Sequence, residues 1–141
     1  MLLHIHRIDS CEAYHLASAI VLPETASVLL REPMPWKRLP MVGLATLETS
    51  ETVEKGVRKH TTKLSATLCS GRLALPSRPL AYRLTCVNGR QYLLGTADPP
   101  FPLTTQEDIR PGNAAETSAV SLVVSLNSSF PILKICQTSF F

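Results

Sequence analysis

Residues 81–96 read AYRLTCVNGRQYLLGT, and this stretch decides the fold. Two short alternating runs flank Asn88-Gly89, a dipeptide that tolerates positive φ and marks a hairpin turn. A two-residue type I′ loop pairs Val87 with Arg90, Thr85 with Tyr92, Leu84 with Leu93 and Tyr82 with Gly95. That register predicts one face made of Tyr82, Leu84, Cys86 and Leu93. It places Arg83, Thr85, Arg90 and Tyr92 on the other face, with Val87 and Leu94. The second face is only partly polar, so it is covered either inside the domain or by a neighbouring subunit.

Outward from the hairpin, the same period recurs. Residues 59–70, KHTTKLSATLCS, put Thr62, Leu64, Ala66 and Leu68 on one face and Thr61, Lys63, Ser65 and Thr67 on the other. A half-buried antiparallel strand needs this alternation, because successive side chains point to opposite sides of the sheet. Residues 118–126, SAVSLVVSL, repeat it with Val120, Leu122, Val124 and Leu126 inward. Residues 2–8, 25–31, 41–47 and 130–136 are further strand candidates. Eleven scattered prolines leave few windows for a helix. The best window is 10–19, where Asp9 or Ser10 would cap and Leu16 and Ile20 fall at helical spacing. Two connections stand out. Residues 48–56, ETSETVEKG, read as a polar, exposed hairpin tip. Residues 98–113, DPPFPLTTQEDIRPGN, read as a long proline-rich loop, either a binding arm or an extended crossover.

The expected architecture is a single all-β domain over residues 1–141, an antiparallel β-sandwich or barrel with at most one short helix. Residues 1–20 form an N-terminal arm or that helix. The 141-residue length suits one domain, and 45% apolar with 18% charged residues is globular composition. The net charge of +3 is dispersed along the chain, which argues against a nucleic-acid footprint. No apolar run reaches the ~18 residues of a membrane helix, and the apolar start, broken by His4, His6 and Arg7, does not read as a signal peptide. The chain is expected to be made in the cytoplasm, with reduced thiols: Cys11, Cys69, Cys86 and Cys136 have no C-x-x-C spacing.

Reactive constellations are sparse. His4, His6 and His15 are the metal candidates, with Cys11 nearby, but their spacing matches no zinc motif and ordinary surface or partly packed histidines are the better explanation. Cys11 and His15 lack a third group to orient a base. Glu48, Glu51 and Glu54 sit together in a polar segment and read as solvated charge. Trp36-Lys37-Arg38 and the Arg83, Arg90 and Tyr92 group offer cations beside aromatics, a pattern suited to stacking bases or to packing an interface.

The segments VLLREPMPWKRLPMVGLATLE, TTKLSATL, AYRLTCVNGRQYLLGTADPPFP and PILKI, spanning roughly residues 20–136, resemble small all-β neck and tail assembly proteins of tailed phages and prophages of gut bacteria. The resemblance implies a non-enzymatic virion component that self-associates or meets other virion proteins, with no catalytic residue and no cofactor. It points to Trp36, Arg83, Arg90, Tyr92, Pro99, Pro100, Phe101 and Pro102 as interface residues. The alternative is a small ligand- or nucleic-acid-binding β module, and after it a metal-dependent enzyme built on the N-terminal histidines.

Overall fold

In a computed structural model, described over residues 2–22, 24–31, 34–69, 75–109, 119–129 and 131–139, the chain is all-β. Eleven strands join in one sheet, ordered β2-β3-β11-β8-β7-β1-β5-β6-β10-β9, with β4 attached to β1. The strands are β1 (Leu2–Glu12), β2 (Ile20–Leu22), β3 (Ser27–Arg31), β4 (Lys37–Arg38), β5 (Ala45–Glu54), β6 (Val57–Leu68), β7 (Leu80–Cys86), β8 (Gln91–Leu94), β9 (Leu103–Ile109), β10 (Ala119–Ser128) and β11 (Leu133–Ser139). All neighbours are antiparallel except β3 and β11.

Among the described residues the sheet rolls up without backbone closure. Val120, Leu122 and Val124 of β10 share one buried cluster with Tyr82 and Leu84 of β7 and Leu94 of β8, although three strands lie between β10 and β7 along the sheet. The strong right-handed twist of antiparallel strands makes such rolling natural. β6 and β10 supply the cleanest walls of this core. Thr62, Leu64, Ala66 and Leu68 are all buried, as the alternation predicts. A second cluster covers the opposite face of β7 and β8. It holds Ala81 and Leu93 with Val28, Leu30, Leu133 and Ile135, capped by Ala13 and Leu16. The second face of the β7–β8 hairpin is therefore covered within the domain except at the turn, where Val87 and Arg90 stay exposed.

Several boundaries and one register differ from expectation. The β7–β8 pairing runs Thr85–Gln91, Leu84–Tyr92, Arg83–Leu93 and Tyr82–Leu94. The loop is three residues long: Gly89 N–H donates to the Cys86 carbonyl at 3.0 Å, and Gly89 takes φ +90°. This is a turn followed by a left-handed glycine bulge, not a two-residue I′ loop. The one-residue slip moves Leu93 to the face of Arg83 and Tyr92 to the face of Leu84. The I′-type geometry occurs instead at Lys55-Gly56, with φ +52° and +79°, between Glu54 and Val57. Residues 48–54 accordingly belong to strand β5, and only the tip is a turn.

The helix over 10–19 shrinks to a 3-10 turn, Ala13–Ser18. Asp9 and Ser10 cap nothing, because both lie within β1 and pair with Arg38 and Lys37 on one side and Arg83 and Tyr82 on the other. The expected 98–113 loop contains strand β9, and its first half is the plain crossover from β8 to the far edge. The 41–47 candidate begins as strand only at Ala45. Met41 makes a lone bridge to Leu68, and Gly43 takes φ +70° in the irregular stretch before Ala45. Asp9 faces Arg38 while Ile5 faces Ala45, so five residues of β1 span eight of the chain beside it. Ser70, residues 110–113, Ser118 and Phe130 of the expected elements lie outside the described residues.

Candidate functional site

Among the described residues, the buried Asp9 carboxylate accepts hydrogen bonds from two arginines. Its side chain is 1% exposed, on the strand at the centre of the sheet. Arg83 donates to Asp9 Oδ2 from Nη2 at 3.2 Å and from Nε at 3.3 Å. Arg7 Nε reaches the same carboxylate at 3.3 Å. Asp9 and Arg83 are cross-strand partners, which brings the two charges together on one face. Arg83 also lies over the Trp36 ring, its Cζ 4.8 Å from the centroid. Trp36 packs against the second cluster, and its Nε1 is buried without a hydrogen-bond partner among the described residues.

A groove of about 740 Å³ opens beside this group, lined among others by Cys11, Glu12, His15, Trp36, Lys37 and Arg38. The Cys11 thiol is a poor nucleophile. Burial pushes it up to about 12, and the Arg83 cation offsets only part of that shift. Burial also raises Cys86, against an opposing pull from Arg90. Tyr82 is raised by burial as well, partly offset by its hydrogen bond to Thr104. These groups are held in their neutral forms, as packing elements are.

The sequence candidates disperse. Trp36 and Arg83 come together. Arg90 is exposed at the β7–β8 turn. Tyr92 faces the main core, half-buried, because of the register slip. Pro99, Pro100, Phe101 and Pro102 form the crossover from β8 to β9. Pro102 packs on Gly95, while Phe101 sits beside Ala13, Tyr14 and Arg78. His4 and His6 are exposed near the start of β1, where a bulge between Ile5 and Arg7 breaks their alternation. His15 stacks on Tyr14 beyond the other end of that strand. The nine residues of β1 from His4 to Glu12 span roughly 26 Å, so the three histidines do not converge. No group of three metal-capable side chains occurs among the described residues. Asp9 and Arg7 escaped the sequence reading because Asp9 looks like a helix cap. The available signal was Arg-x-Asp in an apolar strand, which puts a carboxylate and a cation on the same side.

The largest unsupported feature lies elsewhere. Among the described residues β5 pairs with β1 only at residues 45–48, and β10 reaches β6 only from His60 onward. Residues 50–59 therefore form a two-stranded ribbon, and every one of them is exposed. Its acids, Glu51 and Glu54, are on β5, and its cations Arg58 and Lys59 are on β6, with one ion pair between Glu51 and Arg58 at 3.3 Å. Among the described residues no helix is long and apolar enough to cross a membrane. No family model matches the chain, and neither does any curated protein or any solved structure.

Proposed function

We propose that the protein is a non-enzymatic assembly component that works through the edges of its sheet. The ribbon at 50–59 carries this reading. A two-stranded ribbon exposed on both faces is marginal in water by itself, yet this one keeps a full ladder out to Glu54 and Val57. Val53 and Val57 stand 64% and 56% exposed on it. Such an edge is a template for another strand. The resemblance to phage neck and tail proteins supplies the setting, a virion part that meets its own copies or other virion proteins. Light scattering coupled to size exclusion over a wide concentration range tests the reading. A discrete oligomer is expected. A strict monomer that also captures no partner speaks against it.

The groove beside Trp36, with Lys37 and Arg38 on its rim, favours the second reading, a small binding module for an anionic ligand or single-stranded nucleic acid. Titration of a fluorescent single-stranded oligonucleotide at several salt concentrations decides that version. Salt-dependent binding supports it, and a flat titration removes it.

A further inference from the structure

We infer that the outer edge of β5, from Ser50 to Glu54, pairs with the same edge of a second copy about a two-fold axis at Thr52, an inference that rests on the assembly reading above. The backbone geometry sets which groups are available. Lys55-Gly56 is a two-residue loop, so Glu54 and Val57 exchange a close pair of hydrogen bonds, and every second residue does the same. Thr52 therefore bonds inward to Lys59. Glu51 and Val53 point their N–H and C=O groups away from β6, toward an edge on which no strand lies among the described residues.

Charge and length then select the occupant and the register. An antiparallel copy centred on Glu51 sets Glu51 against its own equivalent, and like charges directly opposite are unfavourable. A copy centred on Val53 overlaps only three strand residues, 52–54. Centring on Thr52 overlaps all five. It sets Glu51 opposite Val53 of the other copy, Ser50 opposite Glu54, and Thr52 opposite Thr52. No two acids face each other, four backbone hydrogen bonds form, and the Thr52 pair is a β-branched, hydrogen-bonding combination that antiparallel strands favour. The result is a four-stranded ribbon, β6-β5-β5-β6, with acidic strands inside and basic strands outside. Residues 50–59 contain two acids and three cations, Lys55 included, so the two ribbons carry little net repulsion. The interface uses one patch on both copies, as a two-fold dimer requires.

Two variants test this in the full chain. Val53→Pro removes an outward N–H and leaves the ladder to β6 intact, which an edge strand tolerates. Thr52→Cys, with exposed Cys69 and Cys136 changed to Ser, places two thiols across a non-hydrogen-bonded pair close enough to bridge. The wild type is expected to be a dimer by light scattering, the Val53→Pro variant a folded monomer by circular dichroism and scattering, and Thr52→Cys to crosslink under mild oxidation at least tenfold faster than Ser50→Cys in the same background. A wild-type oligomer that Val53→Pro leaves intact, with Thr52→Cys no faster than Ser50→Cys, overturns the β5 interface and leaves self-association standing. A monomeric wild type with no Thr52 crosslink overturns both. Should Val53→Pro fail to fold, the crosslinking comparison alone decides.

Discussion

The hydroxyls of Tyr82 and Thr104 lie 2.6 Å apart, although four strands separate β7 from β9 along the sheet. In a flat sheet, with strands ~4.8 Å apart, the two backbones would stand roughly 24 Å from each other. The hydrogen bond therefore marks where the rolled sheet meets itself, through side chains rather than a backbone ladder. Tyr82→Phe should cost about 1 kcal/mol, the usual net worth of such a bond. Thr104→Val should cost about the same, and the double variant little more than either alone. Urea denaturation of the four proteins measures the coupling. Fully additive losses would mean that the two hydroxyls act independently.

Asp9 and its two arginines should rank unequally. Asp9→Ala removes the acceptor from beneath Arg83, whose side chain is only 16% exposed, and should cost about 3 kcal/mol or more. Arg7 is 42% exposed, and Arg7→Ala should cost less than about 1 kcal/mol. Equal losses for Arg7→Ala and Arg83→Ala in denaturation would show that burial does not set the value of each contact.

Gly95 has φ +100°, and a Cβ placed there would sit 2.8 Å from Pro102 Cγ. Gly43 also has positive φ, at +70°, but has open space around it. Gly95→Ala should therefore lower stability by well over about 1 kcal/mol, with Gly43→Ala the milder of the two. Thermal melts compare them. The same loss at both sites would assign the whole effect to backbone conformation and none to the Pro102 contact.

Alkali should unfold the protein earlier than acid-base balance on the surface alone would require. The Cys11 thiol ionises near 9.0 by default but is pushed up to about 12 by burial. Between those values the native state holds a proton that the unfolded chain has released. Stability is therefore complete below about pH 9 and falls as pH rises toward about 12, by up to ~1.4 kcal/mol per pH unit for one such group. Cys86 and Tyr82, both raised, act in the same direction. Stability against urea from pH 8 to 11 should fall less steeply in Cys11→Ala than in the wild type. At pH 8, a thiol reagent should label exposed Cys69 and Cys136 quickly and buried Cys11 and Cys86 only on unfolding.

The strands with one wet face were legible in the sequence because period-two alternation reports directly on burial. Leu64, Ala66 and Leu68 of β6, and Val120, Leu122 and Val124 of β10, are the clearest cases. Where both faces are covered the signal disappears. Ala81, Tyr82, Leu93 and Leu94 are all buried, two toward each core, so hydrophobicity did not specify which way each pointed. The register then depended on loop length alone. Asn88-Gly89 fits both a two-residue loop and a three-residue loop with a glycine bulge. The polar ribbon was hidden for the opposite reason. ETSETVE has no buried face, and composition without a period looks like a loop.

The placement of β1 also governs the order in which the molecule can form. Residues 2–12 leave the ribosome before either of their long partners, β5 and β7, and Ser27 of β3 lies opposite Lys134 of β11. Such distant pairings are slow to find, and they keep the first-made strands waiting with unsatisfied edges. The β5–β6 hairpin needs only its own two-residue turn, and β10 pairs with its β6 side. The projecting ribbon thus belongs to a hairpin that local contacts alone can close, whereas β1 completes its ladders only once β5 and β7 are present.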